Sequence, residues 1–215
     1  MDETSVRVQA VRDVGPDAIA LDVETPATFD ATPGQFVKVV LTVDGEEQSR
    51  FYTISSPTVE DSFEMTIGID PEGEMSPQLR ELAAGDELVI AGPYGNAYYE
   101  GEPRVCLLAG GPGIGPAVGI AERVLADGGE ATVVYQDDDP IHEARLAALE
   151  DNGATVTVLD SATPLGPALD GVEDIEATQV FVYGFADFLD DATEAIEAAG
   201  GEPDGAKVEN FGRRW

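Results

Sequence analysis

The chain lacks the residues on which several kinds of site depend. Its 215 residues include one cysteine, Cys106, which excludes an intramolecular disulfide, a cysteine-ligated zinc site and a cysteine-held iron–sulfur cluster. One histidine, His142, weakens any catalytic triad or histidine–metal site, and we expect no metal. No apolar run reaches about 18 residues, so no membrane-spanning helix is predicted. The first residues carry no basic segment followed by an apolar stretch, so we expect no secretory signal and a cytoplasmic protein.

Basic residues are also scarce, with 11 Lys+Arg against 43 Asp+Glu and a formal net charge of −32. A field of this sign repels nucleic acids and anionic membrane surfaces. The hydrophobic content of 43% is too high for a disordered acidic chain and is ample for a core. An acid-rich, lysine-poor composition resembles that of halophile proteins, whose charges concentrated salt screens over about 3 Å at 1 M. We therefore interpret most carboxylates as a means of solvation.

The first part of the chain has the pattern of β-structure. Short, partly alternating segments rich in β-branched and aromatic residues predict strands at 6–14, 19–24, 36–43, 50–55, 63–69 and 87–91. A short helix is expected at 77–83, with Ser76 as its N-cap. Six such strands separated by turn signals indicate a six-stranded antiparallel β-barrel.

The pattern changes near residue 101. Strands are predicted at 105–109, 131–135, 155–159, 179–183 and 207–209, and helices at 115–126, 141–150 and 187–199. Strands that alternate with helices predict a doubly wound α/β domain with a five-stranded parallel sheet. We therefore expect two domains, 1–101 and 102–215, with 161–177 as one long irregular connection. Cys106 falls in a buried strand, and His142 is interpreted as a surface residue of a helix.

The second half contains a glycine-rich segment, Ala-Gly-Gly-Pro-Gly-Ile-Gly-Pro at 109–116, between a predicted buried strand and a helix. Glycines there let the backbone approach a pyrophosphate, and the helix N-terminus offers free N–H groups. A tight turn without a ligand remains the alternative. The segment has no Gly-Lys-Ser/Thr, so it is not the phosphate loop of NTPases.

Three aspartates, Asp137 to Asp139, follow the next strand. An acid about 20 residues beyond such a loop commonly binds the ribose hydroxyls of NAD and would repel the extra phosphate of NADP. Arg145 is the only cation between Arg123 and Lys207, whereas a 2′-phosphate site needs arginines. Because acidic residues are common throughout this chain, the three aspartates are weak evidence for a ribose site. The sequence favours NADH over NADPH without excluding NADPH.

The first half contains Arg-Phe-Tyr-Thr-Ile-Ser-Ser-Pro at 50–57. An arginine beside an aromatic ring and a hydroxyl suits a flavin dinucleotide, with a charge for the pyrophosphate, a ring to stack and a hydrogen-bond donor for a ring nitrogen. From the residues alone, a strand with an outward arginine and a core tyrosine is equally consistent with the pattern.

Seven segments, taken in order, resemble the ferredoxin–NADP reductase superfamily, in its bacterial-type form. They cover nearly the whole chain and are more specific together than any one of them: 33–36 (Pro-Gly-Gln-Phe), 50–53 (Arg-Phe-Tyr-Thr), 73–77 (Gly-Glu-Met-Ser-Pro), 92–95 (Gly-Pro-Tyr-Gly), 109–116, 183–188 (Tyr-Gly-Phe-Ala-Asp-Phe) and 209–212 (Glu-Asn-Phe-Gly).

The resemblance implies roles for individual residues. Arg50 would pair with the FAD pyrophosphate, Tyr52 would pack on the isoalloxazine, and Thr53 would hydrogen-bond near N5. Glu209 would be a charge or proton partner, and Trp215 would cover the flavin or its adenine, unless it is a solvated tail. Phe51 is a further position implied for FAD, and backbone contacts to FAD are implied for Met65, Thr66, Ile67, Glu74, Met75 and Ser76. The positions implied for the nicotinamide dinucleotide are Gly111, Pro112, Gly113, Ile114 and Asp137.

Two departures from the family pattern bear on catalysis. Pro112 stands where the family usually has threonine, and Tyr183 stands where it usually has cysteine or alanine. A tyrosine there would crowd the nicotinamide pocket or stack in it, so Tyr183 joins Thr53 and Glu209 as a candidate catalytic residue. Both departures put hydride transfer in question more than FAD binding.

The resemblance implies an FAD-dependent oxidoreductase that takes hydride from NAD(P)H and passes electrons to ferredoxin or another small carrier. Arg80, Arg213 and Arg214 are candidates for docking that carrier. The alternatives are an NAD(P)H:flavin or quinone reductase, an electron-transfer subunit of a multi-component system, and an FAD-binding module without nicotinamide turnover. Either a monomer or a homodimer is compatible with the sequence.

Overall fold

A computed structural model describes residues 3–43, 45–172 and 174–212 of the chain. Its first half is an antiparallel sheet in the order β4-β3-β6-β1-β2-β5. The strands are β1 (Thr4–Gly15), β2 (Ala18–Glu24), β3 (Phe36–Val43), β4 (Glu46–Thr53), β5 (Ser62–Gly68) and β6 (Glu87–Tyr94), and a short helix, α1 (Ser76–Arg80), precedes β6. A bridge between Ile54 and Met65 joins the two edges, so the sheet closes into a barrel, which we call the β-domain.

Side-chain alternation along β5 separates the barrel core from the outer face. Phe63, Met65 and Ile67 are fully buried in the barrel core with the apolar residues of β1, β2 and β3. Glu64 and Thr66 point to the opposite face and contact the second half of the chain. The outer face of β5 is therefore part of the contact between the two halves.

The second half, which we call the α/β domain, is a parallel sheet in the order β11-β10-β7-β8-β9. Its strands are β7 (Arg104–Gly110), β8 (Glu130–Gln136), β9 (Thr155–Leu159), β10 (Gln179–Gly184) and β11 (Lys207–Asn210). Its helices are α2 (Ile114–Ala126), α3 (Glu143–Asp151), α4 (Gly166–Leu169) and α5 (Ala186–Ala198), with short 3-10 turns at Gly111–Gly113, Ile175–Ala177 and Pro203–Gly205.

The central strand β7 is buried on both faces. Leu107 and Ala109 pack under α2 and α3, whereas Cys106 and Leu108 pack under α4 and α5. The strand order reverses between β7 and β10, the place where doubly wound sheets form their ligand crevice. The predicted fold class, an antiparallel barrel followed by a five-stranded parallel sheet, is confirmed, and so is the core position of Cys106.

Three local predictions were wrong. Ser76 does not cap α1: the N-cap is Met75, and the Ser76 hydroxyl instead accepts a hydrogen bond from the backbone N–H of Asp70. His142 is 4% exposed and has a left-handed backbone, so α3 begins after it and the residue is not on the surface. The segment 161–177 is not wholly irregular, because it contains α4 and a 3-10 turn.

The predicted boundary at 101/102 falls between β6 and β7 and stays a prediction. Across the residues that the structure covers, no helix combines the length and the apolar character that crossing a bilayer requires.

Candidate active site

A cavity of about 550 Å³ opens between the β-domain and the α/β domain. Its walls are mostly apolar, with a few polar groups at defined places, as is usual for a small-molecule site. The lining residues are Phe36, Arg50, Phe51, Tyr52, Thr53, Thr66, Gly68, Asp70, Gly73, Glu74, Met75, Ser76, Pro112, Pro116, Phe185, Glu209, Asn210, Phe211 and Gly212.

Arg50, near the end of β4, is the positive charge of this cavity. Its Nη1 donates to the carbonyl oxygen of Ser49 at 2.8 Å. Every other lysine or arginine in the described part of the chain forms an ion pair with a carboxylate. In a chain with 43 acidic residues, an arginine left without one is available for an anion from outside the chain.

Thr53 and Glu209 connect the two domains across the cavity. The Thr53 hydroxyl, at the end of β4, donates to Oε1 of Glu209 on β11 at 2.9 Å. The other carboxylate oxygen, Oε2, is buried without a partner among the described residues. Burial raises the pKa of Glu209 to about 7, although the hydrogen bond from Thr53 acts in the opposite direction. Glu209 can therefore hold or release a proton near neutral pH.

Aromatic rings form two walls of the cavity. On one side, Phe51 is 61% exposed and meets Phe36 edge-on at a centroid distance of 5.4 Å. On the other side, Phe185 and Phe211 form an edge-on pair at 6.0 Å. Tyr52 lies beside Arg50, and burial raises the pKa of its hydroxyl to about 12, so the ring stays neutral. Such rings can receive a flat conjugated ligand.

The glycine-rich loop connects β7 to α2 at the carboxyl edge of the sheet. Gly113 must be glycine, because a Cβ there would collide with the carbonyl oxygen of Tyr183. The loop thus packs tightly on the end of β10, and only Pro112 and Pro116 reach the cavity.

Many of the residues named from the sequence meet at this cavity: Arg50, Phe51, Tyr52, Thr53, Thr66, Glu74, Met75, Ser76, Pro112 and Glu209. Others do not line it. The side chains of Met65 and Ile67 fill the barrel core, and their predicted backbone contacts to FAD stay a prediction. Gly111, Gly113 and Ile114 are buried within the loop and at the start of α2. Trp215, together with Arg213 and Arg214, lies outside the described residues.

Tyr183 lies at the contact between the domains. It is fully buried, its ring stacks on Phe181, and its hydroxyl donates to the carbonyl oxygen of Ala97 in the segment between β6 and β7. It is not among the residues that line the cavity. Its catalytic role stays a prediction, and the contact that the structure shows for its hydroxyl is the one with Ala97.

Asp137 lies just beyond β8, also away from the cavity. Its backbone N–H donates to the carbonyl oxygen of Leu159 at 3.0 Å, and its carboxylate accepts from the Tyr135 hydroxyl at 3.4 Å and from the backbone N–H of Asp139 at 3.0 Å. Its position at the carboxyl edge of the sheet is compatible with the predicted ribose contact.

Several lining residues were not named as site residues from the sequence: Phe36, Gly68, Asp70, Gly73, Pro116, Phe185, Asn210, Phe211 and Gly212. A usable signal existed for some of them. Phe36, Phe185 and Phe211 lie inside motifs that carried the family resemblance, next to residues that received roles.

Residues 5–99 match the family model described as oxidoreductase FAD-binding domain. Curated relatives include the glycine betaine monooxygenase reductase subunit of Chromohalobacter salexigens, 43% identical over 97 residues, 43% of this chain and 26% of the relative. The toluate 1,2-dioxygenase electron transfer component of Pseudomonas putida is 33% identical over 150 residues, 66% of this chain and 44% of the relative. The matched region thus spans less than half of either relative.

The fold is similar to that of the flavohem-like FAD/NAD binding domain of nitric oxide dioxygenase from Vibrio cholerae, with a TM-score of 0.86, 20% identity, and coverage of 99% of this chain and 100% of that chain. The first half of the chain is therefore similar to an FAD-binding oxidoreductase domain. The chain as a whole has the two-domain fold of ferredoxin reductase-like proteins.

The residues present fit FAD. A volume of 550 Å³ lies within the range of about 300–1,000 Å³ typical of cofactor sites. Arg50, which has no carboxylate partner among the described residues, suits an anionic pyrophosphate, and the aromatic walls suit a planar ring. Oε2 of Glu209, to which no described residue donates, offers a hydrogen-bonding atom in the same space.

Proposed function

We propose that this chain is an FAD-dependent oxidoreductase that takes hydride from NADH and passes electrons singly to a separate carrier protein such as ferredoxin. In this proposal residues 1–101 bind FAD and residues 102–215 bind the nicotinamide dinucleotide. The observation that carries the proposal is Arg50, which lines the interdomain cavity and has no carboxylate partner among the residues that the structure describes, in a strongly acidic chain.

FAD, when bound, supplies a ring that accepts a hydride and gives up electrons one at a time. The chain supplies binding and orientation. Arg50 neutralises the pyrophosphate with a charge-assisted contact, and Tyr52 presents a neutral ring. Thr53 orients the Glu209 carboxyl by donating to its Oε1 at 2.9 Å. With a pKa of about 7, Glu209 holds a proton at this place without needing the bulk solvent.

The preference for NADH is supported by where the cations are. Arg145 is the only cation between Arg123 and Lys207 in the sequence, and it is bound to Glu64 and Glu122. The carboxyl edge of β8 carries Asp137 instead, which would repel a 2′-phosphate.

The electron acceptor is proposed to lie outside this sequence, because its one buried cysteine cannot hold an iron–sulfur cluster. The net charge of −32 supports work in the cytoplasm of a salt-accumulating cell, where concentrated ions screen the repulsion between two acidic partners. Arg80, a docking candidate, is paired with Asp13 at 2.9 Å, so it would have to exchange partners on docking.

The test is to purify the protein in concentrated KCl with FAD, remove unbound flavin, and titrate it without oxygen with NADH and then NADPH. We expect NADH to bleach the bound flavin faster than NADPH. Bound flavin that neither nucleotide reduces would favour the alternative, an FAD-binding module without nicotinamide turnover. Absence of FAD binding would refute the proposal.

A matched pair of variants tests the role of Arg50. Arg50→Gln removes the proposed pyrophosphate contact, and Arg104→Gln removes the same charge from an exposed pair with Glu130. Loss of a hydrogen bond to a charged group costs about 1.5–3 kcal/mol, so the Kd for FAD should rise about tenfold to a hundredfold in the first variant. An equal rise in the Kd for FAD in both variants would mean that the loss of one positive charge, and not a specific contact of Arg50, weakens binding.

A further inference from the structure

Arg145 forms the centre of a charged contact between the two domains. It lies on α3 of the α/β domain, and its side chain is 21% exposed. Its Nη1 donates to Glu64 on the outer face of β5 at 2.8 Å, and its Nη2 donates to the carbonyl oxygen of Ser55 at 2.8 Å, so both partners belong to the β-domain. A two-pronged contact with Glu122 of α2, at 2.8 and 2.7 Å, fixes the guanidinium within its own domain.

Glu64 is the corresponding centre on the β-domain side. Its side chain is 8% exposed and accepts from Arg145, from the Ser55 hydroxyl at 2.7 Å and from Arg12 at 2.7 Å. Burial alone would raise the pKa of Glu64, but Arg145, Ser55 and Arg12 outweigh burial and hold its pKa below the usual value. The carboxylate therefore stays charged. A buried pair of this kind is only weakly screened by salt, unlike the exposed pairs of this chain.

The residues next to Arg145 contact the β-domain as well. The backbone N–H of His142 donates to the carbonyl oxygen of Val14 at 2.7 Å, and its Nε2 lies 2.8 Å from the Thr66 hydroxyl. On α2, a Cβ added to Gly119 would lie 2.5 Å from the carbonyl oxygen of Ser55, so the helix packs directly on the β-domain backbone. The α/β domain therefore contacts the β-domain at Val14, at Ser55 and at Thr66.

Thr66 connects this contact to the cavity, because it lines the cavity and follows Glu64 on the same face of β5. β5 packs directly on the glycine-rich loop, since a Cβ added to Gly115 would lie 2.4 Å from the Thr66 hydroxyl. A displacement of β5 from the α/β domain would therefore move Thr66 relative to Pro112, and both residues line the cavity.

We propose that the Glu64–Arg145–Glu122 bridge is an interdomain clamp that sets the width of the cavity, with Arg145 as a positioning residue for transfer between nucleotide and flavin. Without Arg145, the carboxylates of Glu64 and Glu122 would face each other across the domain contact and repel. The consequence for transfer rests on the proposed function, whereas the clamp itself is a property of the flavin-free chain.

The test measures the distance between the domains in flavin-free protein. Glu46→Cys on β4 and Glu197→Cys on α5 place two exposed thiols for nitroxide labels, one on each domain. Native Cys106 does not interfere, because it is fully buried and burial raises its pKa to about 12. Pulsed electron paramagnetic resonance then gives the distribution of distances between the two labels. The measurement is made in about 1 M KCl, where exposed charges are screened within about 3 Å.

We expect a narrow distribution in the otherwise unchanged chain and a broadened or lengthened one in Arg145→Met. Arg104→Met, which removes an exposed arginine paired inside the α/β domain, is the matched control and should stay narrow. Glu64→Gln combined with Arg145→Met should restore the narrow distribution, because it removes the repulsion. If Arg145→Met broadened the distribution only because packing contacts were lost, Glu64→Gln would not narrow it again.

A narrow distribution in Arg145→Met, or a broad one that Glu64→Gln does not correct, overturns the clamp. Should Arg145→Met not fold, recovery of its circular dichroism in the double variant supports the clamp, and failure of both variants overturns it.

The functional arm uses FAD-loaded protein. At saturating NADH, we expect the rate constant of flavin bleaching to fall about tenfold to a hundredfold in Arg145→Met, the size expected for a misplacement of about 1 Å. The fall should be reversed in the double variant. An unchanged rate beside a broadened distribution overturns the positioning role. A chain that binds no FAD refutes the proposed function and leaves the distance result standing.

Discussion

Replacing Glu209 with glutamine should make the flavin-free protein more stable near neutral pH and leave its stability unchanged in acid. Burial raises the pKa of Glu209 from 4.5 to about 7, and its Oε2 has no partner among the described residues. One unit of pKa corresponds to about 1.36 kcal/mol, so ionising Glu209 in the folded state costs about 3 kcal/mol. Glutamine has nearly the same shape and cannot ionise.

The direction follows from proton binding. Between pH 4.5 and about 7 the unfolded chain has lost this proton and the folded chain still holds it. The folded state then binds more protons, so the free energy of unfolding falls as pH rises through this window. Below the window both states are protonated, and the difference between Glu209→Gln and the unchanged chain should vanish. Above it the variant should be more stable by about 3 kcal/mol.

Urea unfolding across pH 4 to 8, in about 1 M KCl, measures this difference. Salt does not remove the effect, because its cause is burial and not a distant charge. Glu130→Gln, at an exposed carboxylate paired with Arg104, is the control and should change the free energy of unfolding by at most about 1 kcal/mol. A pH-independent difference for Glu209→Gln would refute the argument that this carboxyl is desolvated in the cavity.

Two further predictions follow from buried groups. Burial lowers the pKa of His142 from 6.5 to about 4, so protonation of the unfolded chain should cost the unchanged protein about 3 kcal/mol of stability as pH falls through this range. His142→Gln should lack that loss, measured as its urea midpoint at pH 4.5 relative to pH 7.5, and an equal acid loss in both proteins would contradict the prediction. Tyr183→Phe leaves the carbonyl oxygen of Ala97 without its donor and should cost about 1–3 kcal/mol of unfolding free energy. Its rate of flavin reduction should be unchanged, since the ring does not line the cavity, and a slowed rate would support the predicted catalytic role.

The sequence predicts those parts of the fold that depend on local pattern. The strand at Thr155–Leu159 has the predicted bounds, and continuous apolar character marked β7 as buried on both faces. Residues 50–53 were placed together at a site because a charged, an aromatic and a hydroxyl side chain in one strand can serve one ligand. The cavity contains all four of them.

Tyr183 shows where a motif is not enough. The resemblance located it at the end of a strand beside the expected nicotinamide pocket, and β10 does end there, with Tyr183 opposite Glu209 in the sheet. The direction of the ring depends on what the other domain offers. The carbonyl oxygen of Ala97, 86 residues away in sequence, accepts its hydroxyl, and no periodicity within β10 reveals that partner.

Arg145 carries the same argument further. In the sequence it is the only cation between Arg123 and Lys207, and its immediate neighbours indicate no partner. Its partner Glu64 lies 81 residues away and its partner Glu122 lies 23 residues away, so their meeting depends on how the two domains pack. In a chain with 43 acids, almost any carboxylate could be proposed as its partner, and composition cannot choose among them. Arg50 differs because its predicted role depends on its immediate neighbours in the motif at 50–53, so a short segment of sequence is enough to identify it. A residue whose role depends on the opposite domain is identified only once that domain is placed.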